Sequence, residues 1–145
     1  MISAPRLFLD ASVWIAASGS SSGASAHVLT LCQQGKAIAL ASQLVLLEAE
    51  SNIRAKLGDK ALVRFYHTLG TLDIAMVRAP SATEVAAQAR VIHPKDAHVL
   101  AAARKGSADF LLTLDKKHFL SPAVLKASLP LVVTTPGEFL RRLTS

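Results

Sequence analysis

Cysteine is almost missing from this sequence: a lone Cys32 among 145 residues leaves no internal disulfide and no thiolate metal cluster. That scarcity fits a cytoplasmic setting, and Cys32 reads as a small core residue. Nowhere do apolar residues run long enough to cross a membrane, so no membrane association is expected. The stretch from Leu7 to Ala17, with Ala24-Ser25-Ala26 downstream, has some features of a secretory leader, but Asp10 interrupts it. Internal repeats, low-complexity tracts and linkers are missing too, and residues 1–145 are expected to form one compact domain. Charged residues are only 18% of the chain and apolar ones 51%, a balance that argues against disorder. Acids are the scarcer sign, ten against sixteen Lys and Arg, and the net charge of +6 favours an anionic partner such as nucleic acid or an acidic protein segment.

Against that basic background the few acids fall at informative places. From His93 to Phe119 the chain reads helix, then strand. Pro94 and Asp96 are helix-start signals, the alanine-rich run continues to Lys105, and Gly106 is a stop. Phe110, Leu111 and Leu112 then form the continuous apolar run of a buried parallel strand. In an α/β domain the helix starts at the carboxyl edge of the sheet and the next strand returns to it, so Asp96 and Asp115 arrive together where such folds bind ligands. Arg6 to Leu9 is a first strand and Asp10 its carboxyl end, on the same edge. Carboxylates brought close without a partner repel, and a hard divalent cation with oxygen ligands is the economical reason to pair them. The blander reading makes each aspartate a helix cap or loop residue.

The remaining chain supplies the frame. Trp14 and Ile15 suit the core, Ser18–Ser25 reads as a flexible loop near the site, and Ala26–Gln34 as a helix closed by Gly35. Ala37–Ala41 is a strand, and Ser42 caps a helix to Leu57 with Gly58 as its stop. Glu48 and Glu50 lie about 200° apart on that helix, so at most one faces the acidic edge. Periodicity does not choose between them, although Glu48 is nearer the helix start. Lys60–Leu69 is a further helix and Leu72–Val77 a strand whose beginning places Asp73 at the wrong edge. Pro80–Arg90 forms a helix with Glu84 in its first turn, suited to the helix dipole. A short turn follows Asp115, Leu131–Val133 is an edge strand, and Pro136 opens a terminal helix. The expected fold is a three-layer α/β/α sandwich around a mainly parallel sheet of about five strands.

With these positions fixed, the chain resembles the PIN-domain ribonucleases, and within them the VapC-type toxins of toxin–antitoxin pairs. The resemblance rests on Leu9-Asp10-Ala11-Ser12-Val13-Trp14-Ile15, on Ser42-Gln-Leu-Val-Leu-Leu-Glu48, on Asp96-Ala-His-Val-Leu-Ala-Ala-Ala, and on Ala108-Asp109-Phe-Leu-Leu-Thr113-Leu-Asp115. It implies Mg²⁺- or Mn²⁺-dependent hydrolysis of RNA with Asp10, Glu48, Asp96 and Asp115 as the metal-binding acids, and so favours Glu48 over Glu50. Ser12 and Thr113 would support ligands or phosphate, and Arg54, Lys95, Arg104, Lys116 and Lys117 are candidates for backbone contacts to RNA. It also implies an antitoxin partner and often a homodimer. Ala11 stands where many members have Thr or Ser, and the segment after Asp115 lacks the further acid that some carry. His93, His98 and His118 match no zinc spacing and are expected to be surface or structural residues. A receiver domain would need an acidic pair after the first strand, and an aspartyl phosphatase a second Asp where Ser12 stands. The remaining rival is a catalytically weak PIN-like module that binds RNA or protein.

Overall fold

A computed structural model describes residues 3–144 and shows five strands and nine helices among them. In chain order these are β1 (Arg6–Leu9), α1 (Ala11–Gly19), α2 (Ala24–Gln33), β2 (Ile38–Ser42), α3 (Gln43–Lys56), α4 (Asp59–Thr71), β3 (Ile74–Val77), α5 (Ala82–Gln88), α6 (Pro94–Lys105), β4 (Phe110–Leu112), α7 (Lys116–Phe119), α8 (Pro122–Lys126), β5 (Val132–Thr134) and α9 (Pro136–Thr144). All strand pairs are parallel, in the order β3-β2-β1-β4-β5. The central strands carry no polar face because helices cover both sides: Leu7, Phe8, Leu9, Leu40, Leu111 and Leu112 are fully buried. The edges differ, with Met76 on β3 and Val132 on β5 partly in solvent.

One helical layer is built by α1 packing on α2, α3 and α4, with α9 against α2; in the other, α5 packs on α6, which crosses β2, β3 and β4. The chain steps from β1 through β2 to β3 in one direction, then returns to place β4 on the other side of β1. That reversal opens a crevice at the carboxyl ends of β1 and β4. Register aligns the crevice closely. Leu9 pairs with Leu112, the Asp10 amide donates to the Leu112 carbonyl at 3.0 Å, and the Thr113 amide donates to Thr134 at 3.0 Å. Asp10 and Thr113 therefore leave their strands side by side.

Three local expectations change. Ser18 and Gly19 belong to α1 and Ala24 to α2, so the Ser18–Ser25 loop shrinks to residues 20–23. It also lies away from the crevice: a Cβ on Gly19 would touch Leu57 at the far end of α3, whose start follows β2 at the carboxyl edge. The segment after Asp115 is not one turn but α7 followed by α8, the latter started by Ser121, whose hydroxyl accepts from the Val124 amide, and by Pro122. Gly106 ends α6 with φ −80°, and the left-handed residue is Ser107 at φ 54°. Glycine is needed at 106 for space, since a Cβ there would sit 2.7 Å from Val77 Cγ2.

Candidate active site

The first acid, Asp10, occupies the N-cap position of α1 yet makes no capping bond to that helix. Its Oδ2 instead accepts from the hydroxyls of Ser12 (3.0 Å) and Thr113 (2.8 Å). Each hydroxyl is used twice: Ser12 Oγ also accepts from the Leu114 amide at 3.0 Å, and Thr113 Oγ1 from the Asp115 amide at 3.0 Å. These bonds tie the exit of β4 to the exit of β1 and set the path of the chain at Asp115. Trp14 locks the same turn by donating its indole N–H to the Leu9 carbonyl at 3.1 Å, fully inside the core as expected.

Capping duties are distributed so that two of the three aspartates are released from them. His93, not Asp96, caps α6, its Nδ1 accepting from the Lys95 amide at 3.1 Å. Asp96 stands half-buried in the first turn. Asp115 does cap α7, accepting from the His118 amide at 3.2 Å, and its Oδ2 also lies 2.8 Å from His118 Nδ1. Asp96, Asp115 and His118 each present a ligand atom, and these lie within 4.8 Å of one another.

Electrostatics joins this group to the other two acids. Burial pushes the Asp10 carboxyl above its usual range; the Thr113 and Ser12 hydroxyls oppose that, and the charge of Asp96 adds to it. Glu48 is raised first by partial burial and next by Asp10, with Asp96 adding and His98 and Lys95 opposing. Glu50 is elsewhere: it accepts from the Tyr66 hydroxyl at 2.8 Å, and Arg54 donates to the same hydroxyl at 2.9 Å. The helix thus turns Glu48 toward the aspartates and Glu50 toward α4.

Asp10, Glu48, Asp96 and Asp115 therefore gather at one edge, and Asp10, Glu48 and Asp96 are in no salt bridge formed by the described residues. Four gathered carboxylates, three of them in no salt bridge and the fourth, Asp115, held only by His118, are a donor set of oxygen atoms with spare lone pairs that fits a hard divalent ion. Lys95 adjoins the cluster, and Lys116 and Lys117 open α7 beside it. Arg54 and Arg104 lie outside: Arg54 is about 9 Å further along α3 than Glu48, and Arg104 about 12 Å along α6 from Asp96, donating to Gln88. His118 is the residue that spacing analysis undervalued. An Asp-x-x-His pair opening a short helix puts both side chains on one face, and that was the available signal. A cleft of about 490 Å³ along α4 holds none of these acids, whereas clefts of about 370 and 390 Å³ reach His118 and His98 respectively.

Comparisons with known proteins bear on the fold and the family. PAE2754 from Pyrobaculum aerophilum superposes with a TM-score of 0.63 at 21% identity, covering 97% of this chain and 96% of its own. The sarcin–ricin-loop-cleaving toxin VapC20 of Mycobacterium tuberculosis gives 0.53 at 18%, covering 86% and 98%. VapBC2 from Rickettsia felis, solved bound to a DNA fragment from its promoter, gives 0.60 at 15%, covering 88% and 96%. No curated protein matches the chain. At these identities the likeness is one of fold. The family model described as PIN domain matches residues 6–117, from the first residue of β1 to the first turn of α7, just past Asp115, and the chain belongs to that family.

Proposed function

We propose that this protein is a Mg²⁺- or Mn²⁺-dependent ribonuclease that hydrolyses RNA phosphodiester bonds at the acidic crevice. The observation that carries the reading is the gathering of Asp10, Glu48, Asp96 and Asp115 inside a chain of net charge +6. Such a contrast suits an anionic substrate drawn to the surface and a cation held between carboxylates and phosphate. A divalent ion bound there lowers the pKa of a water molecule and offsets charge developing on the phosphate. Asp10 and Asp96 are its primary ligands, with Asp115 completing the set directly or through water. Glu48 holds the ion or orients the attacking water. Ser12 and Thr113 fix the Asp10 carboxylate, and Lys95, Lys116 and Lys117 position the phosphate backbone.

The same reading takes the chain as the toxin of a toxin–antitoxin pair, with an antitoxin covering the crevice and a homodimer as the working unit. The likeness to VapC20 and VapBC2 supports the toxin–antitoxin part of this reading. Cleavage of a labelled total-RNA pool with Mg²⁺ or Mn²⁺, run beside EDTA and Asp96→Asn, tests the reading. Metal-dependent cutting lost in both controls is expected; no cutting by folded, metal-binding protein would favour a binding module instead.

A further inference from the structure

We propose that the cleft at the carboxyl ends of β2 and β3 receives one unstacked nucleobase of the RNA substrate and so sets sequence preference; this rests on the ribonuclease reading. The cleft encloses about 390 Å³, and among its walls are Gln43 and Leu44 from the start of α3, Met76 and Arg78 from the end of β3, Pro80, and His98 from α6. It adjoins the acids through two elements. His98 follows Asp96 by two residues on α6, and Gln43 lies on the helix that carries Glu48. A phosphodiester held at the carboxylates therefore has a neighbouring nucleotide within reach of this wall.

The lining has the chemistry a base requires. Leu44 and Met76 are 55% and 54% exposed, an apolar surface with nothing packed on it. Arg78 forms no hydrogen bond or ion pair with another described residue, which leaves its planar guanidinium available for stacking. The Gln43 amide and the His98 imidazole offer donors and acceptors for a base edge. No acid lines the cleft, so the polyanion is not repelled. Sequence-specific RNA recognition uses these means: splayed bases, stacking on planar side chains, and hydrogen bonds to their edges. A purely apolar peptide would make no use of the combined guanidinium, amide and imidazole, and an acidic one would make no use of the exposed Leu44 and Met76.

The test uses full-length Asp96→Asn protein with short, single-stranded, fluorescein-labelled homopolymers of adenylate, cytidylate and uridylate, read by anisotropy. The expected result is a spread of about tenfold or more in affinity among the three, collapsing to about twofold when Gln43→Ala and Met76→Ala are added. Both side chains point into solvent-open space, and circular dichroism confirms that the variant folds. Equal affinities in the parent, or an unchanged ranking in the variant, overturns the inference. Cleavage is assayed separately with protein carrying Asp96, so absence of RNA cutting would sink the nuclease reading without altering the homopolymer ranking.

Discussion

Thr113 has no exposed surface, and its single hydroxyl both donates to Asp10 and accepts from the Asp115 amide. Thr113→Val keeps the shape and removes both bonds, leaving a buried carboxylate short of one donor and an amide without an acceptor. A loss of about 1–3 kcal/mol in chemical denaturation is expected, with a drop in cleavage, because Asp10 loses one of the two hydroxyls that fix its carboxylate. Asp10→Asn should behave oppositely in stability. Asp10 titrates above its unfolded value of 3.8, so its protonated form is favoured on folding. That contribution is fully present below 3.8 and is lost as pH rises through the folded value. In EDTA at neutral pH the Asn variant should therefore melt no lower than the parent, and any gain should shrink as pH falls toward 3.8 while cleavage stays abolished. A variant that melts well below the parent at neutral pH would mean Asp10 serves the fold. His118 invites a third comparison. Its ring Nδ1 lies 2.8 Å from Asp115 Oδ2, a contact that alanine removes while the backbone amide keeps its own bond, so His118→Ala should weaken Mn²⁺ affinity by about 10–100-fold in calorimetry, as loss of a group that orients a ligand does.

At the level of elements, strand and helix positions were legible because their signals are local. Apolar runs marked β1, β2 and β4, Ser42 capped α3 with its hydroxyl on the Val45 amide, and Pro94 and Pro136 opened helices. What the sequence hid were contacts between elements. Glu84 fits the dipole reading, and the structure adds a reciprocal capping box with Ser81 and a salt bridge to Lys105 on α6 at 2.8 Å. Lys105 first, then the Ser81 amide, hold the Glu84 carboxyl down at about 2. A depressed acid contributes stability above its ordinary value near 4.5 that disappears as pH falls through about 2. Glu84→Gln should thus flatten the acid limb of the unfolding curve over that window and leave cleavage unchanged. Gly106 makes the same point sterically. It reads as a helix stop, yet its reason is the nearness of Val77, and Gly106→Ala should cost about 1–3 kcal/mol because the stiff Val77 side chain must shift to admit a methyl group.

Across the whole molecule, the acidic cluster was legible from topology, since strand exits and helix starts of a parallel sheet share an edge. Which basic residues serve that edge was not, because a lysine or arginine on a helix face reads the same wherever its helix points. Arg54 is held by Tyr66 and Arg104 by Gln88, whereas Lys95 feels the charge of Glu48. On the ribonuclease reading, this divides the excess charge into a part placed to contact RNA and a part that only raises the field around the molecule. Salt separates the two. Each phosphate neutralised on single-stranded RNA contributes about −0.7 to the slope of log affinity against log salt. In an Asp96→Asn background, Lys95→Ala should make that slope shallower by about 0.7, whereas Arg54→Ala should leave the slope nearly as it was. Equal slope changes for both would mean that RNA tracks along α3 as well as across the crevice, and the contact surface would then extend along that helix as far as Arg54.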